Sequence, residues 1–370
     1  MRVKDILEDD VDLSYYLTQD FIDKIIIKRR YKSLTGELGY IEKGTGQHQS
    51  NTIYDSNYLA RTIQAGDYKA PLKVTCDVKN GAGVINLDGK SYSIRKLTAL
   101  ECWRLQGYKD EDYYNAEKYL SKTKLYERAG RGICVPMLED IFSKYFNKNE
   151  HIKMLECFSG IGSQRMAFRN MGLNYESVGI MEVDRYAILA YNAIFNIDDV
   201  TDYTYNKTKD EMIREMRDVN IAYNFSTYKD EMPKSLKDVK LLYNAHIKSR
   251  NYGDITKVDP KNLPDFNFFT YSFPCKNISV AGNQKGMEEG SGTQSSLVWE
   301  CRKIIVEKKP KYLMMENVKN ICGSNHMRFF QEWIDLLSSL GYDSHWEVYN
   351  AKDYGVPQNR ERVIMMSVLK

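Results

Sequence analysis

A cysteine ends an apolar run in the second half of the chain. Residues 269–275 read Phe-Thr-Tyr-Ser-Phe-Pro-Cys, and a polar loop containing several glycines follows Cys275. The run predicts a buried strand, and Pro274 has no N–H, so the hydrogen-bond ladder should stop just before the thiol. Open α/β sheets build their sites at the carboxyl ends of strands. Cys275 is therefore a candidate nucleophile, and a buried thiol that serves only packing is the alternative.

A carboxylate lies near the end of a second apolar run, residues 312–318, which read Tyr-Leu-Met-Met-Glu-Asn-Val. Glu316 would be costly in such a strand unless it had a partner or served a site. Gln358, Arg360 and Arg362 follow near the end of the chain. The guanidinium fork of arginine suits carboxylates and phosphates, so both arginines are candidates to clamp Glu316 or a ligand. Ordinary ion pairs are the alternative.

A glycine turn follows a third apolar segment. Residues 153–162 read Lys-Met-Leu-Glu-Cys-Phe-Ser-Gly-Ile-Gly, which predicts a strand and then a Gly-x-Gly turn at Gly160 and Gly162. A further strand ends at Glu182, about 20 residues later. Glycines let a ligand approach the backbone, and an acid at this spacing can accept from ribose hydroxyls. The pattern predicts a nucleotide-type site, with Asp254 as another acid that could reach the ligand.

The composition excludes several classes of site. The chain has 370 residues, 53 basic and 50 acidic, so its net charge of +3 permits a nucleic-acid partner without requiring one. Seven cysteines without CxxC spacing and five isolated histidines predict a reducing compartment, with neither a disulfide framework nor a metal site. No apolar run approaches membrane-spanning length. We therefore expect a soluble, cytoplasmic protein that does not associate with membranes.

The order of the elements predicts the architecture. Alternating strands and helices over residues 151–370 predict an α/β fold with a doubly wound, Rossmann-like sheet. Residues 198–250 are polar and predict an inserted helical or loop excursion. Residues 1–93 have the composition of a small mixed domain, and residues 94–150 join it to the rest.

Short-range signals predict individual elements in the first 150 residues. Glycine after asparagine or aspartate marks hairpin turns, and threonine followed three residues later by glutamate marks the start of a helix. The predicted features are a helix over residues 20–31, hairpin turns at Asn80-Gly81 and Asp88-Gly89, and a helix that begins at Thr98, with Glu101 completing a capping box, and ends at Gly107.

Together these segments resemble the motifs of the cytosine-C5 DNA methyltransferases. The resemblance covers nearly the whole chain and is weakest over residues 1–90. The matching segments are Phe158-Ser-Gly160-Ile-Gly162 (first motif), Pro274-Cys275 (the catalytic Pro-Cys), Glu316-Asn317-Val318, Gln358-x-Arg360-x-Arg362, residues 95–107 (ninth motif), residues 129–142 (tenth motif) and Thr62-Ile63, which is similar to the Thr-Leu element that braces the extruded base.

The motif order implies a circularly permuted member of this family, because the ninth and tenth motifs precede the first. In that arrangement residues 1–93 form the target-recognition domain, residues 94–150 carry the ninth and tenth motifs, and residues 151–370 form the catalytic domain. The polar linker at 147–150 need only join neighbouring elements, and exposed termini tolerate relocation.

The resemblance also implies a reaction. The Cys275 thiolate adds to C6 of a cytosine flipped out of the duplex, and C5 then accepts a methyl group from S-adenosylmethionine. Glu316 contacts N3 and the exocyclic amine, while Arg360 and Arg362 clamp the base, phosphates or Glu316. The partner is double-stranded DNA, we expect a monomer without a metal, and a cognate restriction endonuclease is compatible with the family.

Two further groups of residues follow from the resemblance. The loop sequence over residues 284–295 is similar to that of CpG-specific bacterial members, so the resemblance implies CpG as the target. The expected cofactor residues are Phe158, Gly160, Gly162, Glu182, Asp254, Phe273, Pro274, Arg131 and Gly132, and the expected DNA contacts are Thr62, Ile63, Lys276, Gln284, Ser291 and Gln358.

Two departures from the family pattern raise alternatives. The tenth motif has Arg131 where the family usually has asparagine, and Lys276 stands where glutamine usually follows the nucleophile. A cation beside a sulfonium is unfavourable unless an anion lies between them, so Arg131 predicts a carboxylated S-adenosylmethionine and a 5-carboxymethylcytosine product. The plainer interpretation is that Arg131 contacts a phosphate or the cofactor's own carboxylate. An RNA substrate and a catalytically silent DNA-binding protein are further alternatives.

Overall fold

The chain forms two compact units. The computed structural model describes residues 1–28, 34–41, 50–225, 227–274 and 294–370. One unit comprises Met1–Met137 with Asn350–Arg360, and the other comprises Leu138–Tyr349 with Glu361–Lys370. The predictions for Cys275, Lys276, Gln284 and Ser291 lie outside the described residues.

The first unit contains a mixed sheet followed by helices. Within its described residues the strand order is β1-β2-β3-β5-β7-β6, and neighbours are antiparallel except for the parallel pair β3 and β5. A separate short parallel pair joins β4 to β15. The strands are β1 (Ile25–Ile27), β2 (Glu37–Ile41), β3 (Thr52–Tyr54), β4 (Ala60–Arg61), β5 (Lys73–Cys76), β6 (Val84–Leu87), β7 (Lys90–Lys96) and β15 (Gln358–Asn359), and the helices are α1 (Gln19–Ile22), α2 (Ala99–Arg104), α3 (Asp110–Glu117) and α4 (Lys122–Arg131).

Two predictions in this unit are wrong. The helix expected over residues 20–31 ends at Ile22, because the β-branched run Ile25–Ile27 pairs with β2 as an antiparallel strand. Asn80-Gly81 makes a turn but no hairpin, since β7 lies between β5 and β6 in the sheet. In both cases a distant pairing partner decides the local structure.

Two other predictions in this unit are confirmed. Asp88 and Gly89 join β6 to β7 with φ values of 51° and 77°, the left-handed conformation that a tight hairpin turn requires. Thr98 caps α2: its hydroxyl accepts from the Glu101 N–H, and the Glu101 carboxylate accepts from the Thr98 N–H. Glu101 also pairs with Arg95 at 2.6 Å, and both side chains are buried.

The second unit is a doubly wound α/β sheet, as predicted. Its described strands follow the order β14-β16-β13-β12-β8-β9, in which β9, β8, β12 and β13 are parallel and β16 is antiparallel to β13. The strands are β8 (Ile152–Cys157), β9 (Tyr175–Met181), β12 (Phe268–Tyr271), β13 (Tyr312–Val318), β14 (Tyr342–Asn350) and β16 (Glu361–Leu369), and the helices are α6 (Ser163–Met171), α7 (Arg185–Phe195), α10 (Val298–Lys308) and α11 (Met327–Ser339).

The central strand β12 explains why helices cover both faces of this sheet. All four of its residues are buried, and successive side chains point to opposite faces. Phe268 contacts the rings of Phe142 and Phe168, with centroids 5.7 and 5.5 Å away. Tyr271 contacts Trp333 of α11 on the other face. Phe142 belongs to α5 (Val135–Ser143), which spans the division between the two units.

Residues 198–250, where the sequence predicts an inserted helical or loop excursion, contain two helices and a short antiparallel strand pair. Buried apolar side chains of its two helices, including Met212, Met216 and Leu242, make a core of their own that also includes Ile188 of α7. Among the described residues of the chain, no helix has the length and apolar character needed to cross a membrane. The excursion consists of α8 (Lys209–Asp218), the antiparallel pair β10 (Tyr223–Asn224) and β11 (Lys229–Asp230), and α9 (Leu236–Lys248).

Candidate active site

The glycine turn lies directly after β8. Phe158, Gly160 and Gly162 all have positive φ, at 56°, 56° and 74°. A Cβ at Gly160 would meet no atom of the described part of the chain within 4 Å, so the backbone there borders open space. A Cβ at Gly162 would lie 2.4 Å from Phe195 and 2.7 Å from Tyr191 of α7. Gly160 thus leaves room for a ligand, whereas Gly162 permits helix packing.

Glu182 connects the end of β9 to this turn. One of its carboxylate oxygens accepts from the Gly160 N–H at 2.9 Å, and the other accepts from the N–H groups of Val183 and Asp184, also at 2.9 Å. Three backbone donors stabilise the ionised form of a carboxylate. The acid that the sequence predicts for ribose is therefore held beside the glycine whose backbone faces open space.

Asp254 is buried and has two partners. One carboxylate oxygen accepts from Asn220 Nδ2 at 2.7 Å, and the other accepts from the Thr256 N–H at 3.0 Å, which caps the 3-10 helix Ile255–Lys257. Burial of the carboxylate is therefore compensated within the protein. The structure gives Asp254 a capping role in addition to the cofactor contact predicted for it.

Side-chain hydrogen bonds fix the backbone where β12 leads towards Cys275. The Phe273 carbonyl accepts from Asn317 Nδ2 at 3.1 Å, and the Pro274 carbonyl accepts from Ser295 Oγ at 2.8 Å. Gln164 Nε2 donates to Ser272 Oγ at 3.0 Å. The peptide that precedes Cys275 is therefore held by the neighbouring strand β13 and by the residues before α10.

Glu316 forms an ion pair with Arg362. Glu316 lies opposite Ile364 in the antiparallel pair of β13 and β16, and Arg362 lies two residues away on the same face. Arg362 Nε is 3.1 Å from Glu316 Oε1, and each side chain exposes less than 15% of its surface. The carboxylate thus has the arginine partner that burial demands, and it lies at the carboxyl edge of the parallel strands.

Arg360 lies in the first unit and contacts backbone carbonyls. It donates to the carbonyl oxygens of Ile63, Gly130 and Gly132 at 2.9, 3.1 and 2.7 Å, and only 2% of its surface is exposed. Gln358 accepts from the Ile63 N–H at 3.0 Å through Oε1. These two predicted site residues are thus brought together around the Ile63 peptide groups.

Arg131 and Gly132 occupy the carboxyl end of α4. Arg131 is the last residue of the helix and is exposed, and Gly132 is its C-cap residue. The Gly132 N–H bonds to the carbonyls of Arg128 and Ala129 at 3.0 and 3.1 Å, and its own carbonyl accepts from Arg360. Backbone bonds of the Gly132 N–H and side-chain bonds from Arg360 therefore fix the Gly130-Arg131-Gly132 segment.

Comparison with known proteins identifies the family. The family model of the C-5 cytosine-specific DNA methylases matches residues 1–147 and 227–370. The chain belongs to this family. The matched residues include Glu316 and Arg362, so the ion pair described above lies within the part of the chain that the family model covers.

Individual relatives support the assignment. The chain is 47% identical over 220 residues to the type II methyltransferase M2.ScrFI of Lactococcus lactis subsp. cremoris, covering 59% of this chain and 61% of the relative. It is 37% identical to the orphan methyltransferase M.SssI of Spiroplasma monobiae, covering 61% of this chain and 62% of the relative. The chain thus spans about three fifths of the length of these relatives.

The glycine turn of this chain fits S-adenosylmethionine. Gly160 leaves open space at the backbone, and the Glu182 carboxylate lies beside it. Ser159 Oγ is buried in the same turn and has no hydrogen-bond partner among the residues that the structure describes. Buried hydroxyls normally have partners, and a nucleoside ligand can supply one. The residues of the turn therefore match the polar and steric needs of a nucleoside.

Two residues contribute to this region without a sequence pattern that predicts their roles. Ser295 is completely buried and holds the Pro274 carbonyl, but a serine before a predicted helix reads as an ordinary cap. Glu156, in the strand before the glycine turn, accepts from Tyr191 Oη at 2.5 Å. Burial raises the pKa of Glu156 to about 7, against the opposing effect of the Tyr191 hydrogen bond. A charged residue inside an otherwise apolar strand was the available signal.

Proposed function

We propose that this protein transfers a methyl group from S-adenosylmethionine to C5 of cytosine in double-stranded DNA through a covalent Cys275 adduct. The observation that carries the proposal is the position of Glu316, paired with Arg362 and next in sequence to Asn317, which holds the Phe273 carbonyl. Because β12 and β13 are neighbouring parallel strands, this bond holds the backbone at Phe273, two residues before Cys275, at the same sheet edge as Glu316.

The protein's residues divide the chemistry as follows. The Cys275 thiolate forms a bond to C6, which makes C5 an enamine carbon and a nucleophile. The cofactor supplies an electrophilic methyl group on its sulfonium. Glu316 binds N3 and the exocyclic amine and stabilises the charge that develops on the ring, while Arg362 orients Glu316. Loss of the C5 proton and elimination of the thiolate then restore the aromatic ring.

The cofactor and DNA contacts extend this proposal. Phe158, Gly160, Gly162, Glu182, Asp254, Phe273 and Pro274 would hold S-adenosylmethionine, and Glu182 would exchange part of its backbone bonding for the ribose hydroxyls. Thr62 and Ile63 would brace the extruded cytosine, with Lys276, Gln284 and Ser291 as further DNA contacts. The permuted motif order and residues 1–93 as the target-recognition domain belong to the same proposal, as do a monomeric state and a cognate endonuclease.

Mass spectrometry of nucleosides tests the proposal. Unmethylated duplex DNA is incubated with the protein and S-adenosylmethionine, and we expect 5-methylcytosine. Cys275→Ser should abolish the product, whereas the matched control Cys76→Ser, a half-buried thiol in β5, should retain it. Product in transfer RNA alone, or none with the wild type, would refute DNA cytosine methylation by this chain.

The same assay decides the finer question of the donor. A parallel incubation with carboxylated S-adenosylmethionine should give 5-carboxymethylcytosine if Arg131 pairs with the extra carboxylate. In that case Arg131→Asn should remove the preference for the carboxylated donor. Equal preference in both proteins would leave Arg131 without a role in donor choice.

A further inference from the structure

The segment that contains Thr62 and Ile63 is held by residues 357–360. The Ala60 N–H donates to the Pro357 carbonyl at 2.7 Å, and β4 and β15 pair in parallel. Thr62 Oγ1 donates to the Asn359 carbonyl at 2.7 Å. Residues separated by almost 300 positions are thus in register, and the hydroxyl of Thr62 is itself part of the contact.

Gln358 uses both ends of its amide inside this arrangement. Its Oε1 accepts from the Ile63 N–H at 3.0 Å, and its Nε2 donates to the Leu105 carbonyl at 2.7 Å. The side chain is completely buried. A buried amide that lost these partners would leave two backbone groups unsatisfied, so the contact fixes Ile63 relative to the end of α2.

Arg360 holds the other side of the same residue. Its guanidinium donates to the Ile63 carbonyl from Nη1 and to the Gly130 and Gly132 carbonyls from Nη2. The N–H and the C=O of Ile63 are therefore each bound by a side chain of the Gln358-x-Arg360 segment. With 2% exposure, the guanidinium is turned towards these carbonyls and away from solvent.

Close packing leaves little freedom in this arrangement. A Cβ at Gly130 would lie 2.3 Å from the backbone of Gln64 and Ala65, so the α4 end and the residues after Ile63 are in direct backbone contact. A planar fork can bridge several carbonyls at once, which the single point charge of lysine cannot reproduce. The geometry suits a fixed support for one short segment.

We propose that Gln358 and Arg360 are positioning residues that set the place of the Thr62-Ile63 segment and influence the reaction through it. They would not contact the base or a DNA phosphate themselves, contrary to the roles expected from the resemblance. The inference rests on the proposed function, in which Thr62 and Ile63 brace the extruded cytosine.

Two measurements on Arg360→Met distinguish positioning from a DNA contact. The first is the salt dependence of binding to an unmodified duplex: a lost phosphate contact reduces the slope of log Kd against log salt concentration by about 1, whereas a positioning residue leaves it unchanged. The second is the rate of covalent trapping on duplex DNA containing 5-fluorocytosine, where fluorine at C5 prevents release of the Cys275 adduct. We expect an unchanged slope and trapping slowed on the order of 10–100-fold.

Companion variants keep the test decisive if Arg360→Met fails to fold. Gln358→Leu should show the same slow trapping and unchanged slope, and combining it with Thr62→Ala should add little further slowing, because both act through one segment. Arg360→Lys keeps the charge, so it should remain slow under the positioning role and recover under a phosphate clamp. Arg250→Met, which removes an exposed guanidinium paired with Glu176, is the control for general loss of charge.

The outcomes separate this inference from the proposed function. A slope reduced by about 1 in Arg360→Met, recovery in Arg360→Lys, or additive slowing in the Gln358→Leu and Thr62→Ala double variant would each overturn the positioning role. Failure of the wild type to trap would refute the proposed reaction instead. The salt slope would still test the contact made by Arg360, since it requires only DNA binding.

Discussion

At the residue scale, two arginines that are two positions apart in sequence, Arg360 and Arg362, have different surroundings. Arg362 pairs with the Glu316 carboxylate at 3.1 Å, whereas Arg360 donates to three backbone carbonyls. A guanidinium beside a carboxylate can orient and ionise it, and one among carbonyls can only hold the backbone. The two arginines of the Gln-x-Arg-x-Arg segment are therefore expected to fail in different ways when replaced.

Glu316→Gln tests the residue-scale chemistry. The amide oxygen can still accept from Arg362 Nε, so we expect the melting temperature to change little. An amide cannot share a proton with N3, however, so it cannot neutralise the negative charge that thiolate addition at C6 places on the ring. We predict a kcat for methylation lower by about 10²–10⁴-fold with a small change in KM for DNA, measured by methyl incorporation. Glu361→Gln, a neighbouring acid paired with Lys319, is the matched control, and a normal kcat in Glu316→Gln would refute the role of its carboxylate.

At the scale of elements, the turn between β8 and α6 separates ligand binding from packing. Gly160 and Gly162 are two residues apart and share a left-handed conformation, yet only Gly162 is crowded, by the rings of Tyr191 and Phe195. Aromatic contacts of α7 thus determine where the helix after the turn can lie. The Gly160 backbone remains open beside the Glu182 carboxylate.

Alanine at each glycine should separate these effects. Gly162→Ala should lower the free energy of unfolding by about 1–3 kcal/mol or more, because Cβ would overlap the α7 rings. Gly160→Ala should cost only about 1 kcal/mol of backbone strain but should weaken S-adenosylmethionine binding at least tenfold. Urea unfolding without cofactor and calorimetric titration with it measure the two quantities. Normal cofactor affinity in Gly160→Ala would contradict a cofactor site at this turn.

The same scale shows what sequence can predict. Local sequence patterns are sufficient to predict elements that depend on neighbours in sequence. Examples are the glycine turn before α6, the capped helix at Thr98 and the apolar strand that carries Asn317. For Ile25–Ile27 the local pattern predicts a helix, because the strand partner that decides the structure, β2, lies more than ten residues away. The contacts of Gln358 and Arg360 with Ile63 span almost 300 residues and exist only in the folded chain. The residue type of Arg360 predicts hydrogen bonds to carboxylates, phosphates or carbonyl oxygens, but the sequence does not show which of these groups lies beside it in the fold.

At the scale of the whole molecule, two buried titratable groups should oppose each other in the pH dependence of stability. Burial raises the pKa of Glu156 to about 7 and lowers the pKa of His246 to about 4. Between pH 4.5 and 7 the folded protein retains a proton on Glu156 that the unfolded chain has lost, so stability falls as pH rises. Between pH 4 and 6.5 the unfolded chain binds a proton at His246 that the folded protein does not, so stability rises with pH.

Single variants should expose the two opposing contributions, each on the order of 3 kcal/mol. Glu156→Gln keeps an acceptor for Tyr191 but cannot titrate. The free energy of unfolding of the variant, compared with that of the wild type, should therefore be higher at pH 8 than at pH 5. His246→Gln should show the reverse, with less acid destabilisation below pH 6.5. Urea denaturation across pH 4–8 measures both, and the double variant should show the flattest profile. Parallel pH profiles for wild type and Glu156→Gln would mean that Glu156 is already ionised in the folded protein at pH 5. Its buried charge would then need a compensating cation, and the Arg165 guanidinium is a charge that lowers the pKa of Glu156.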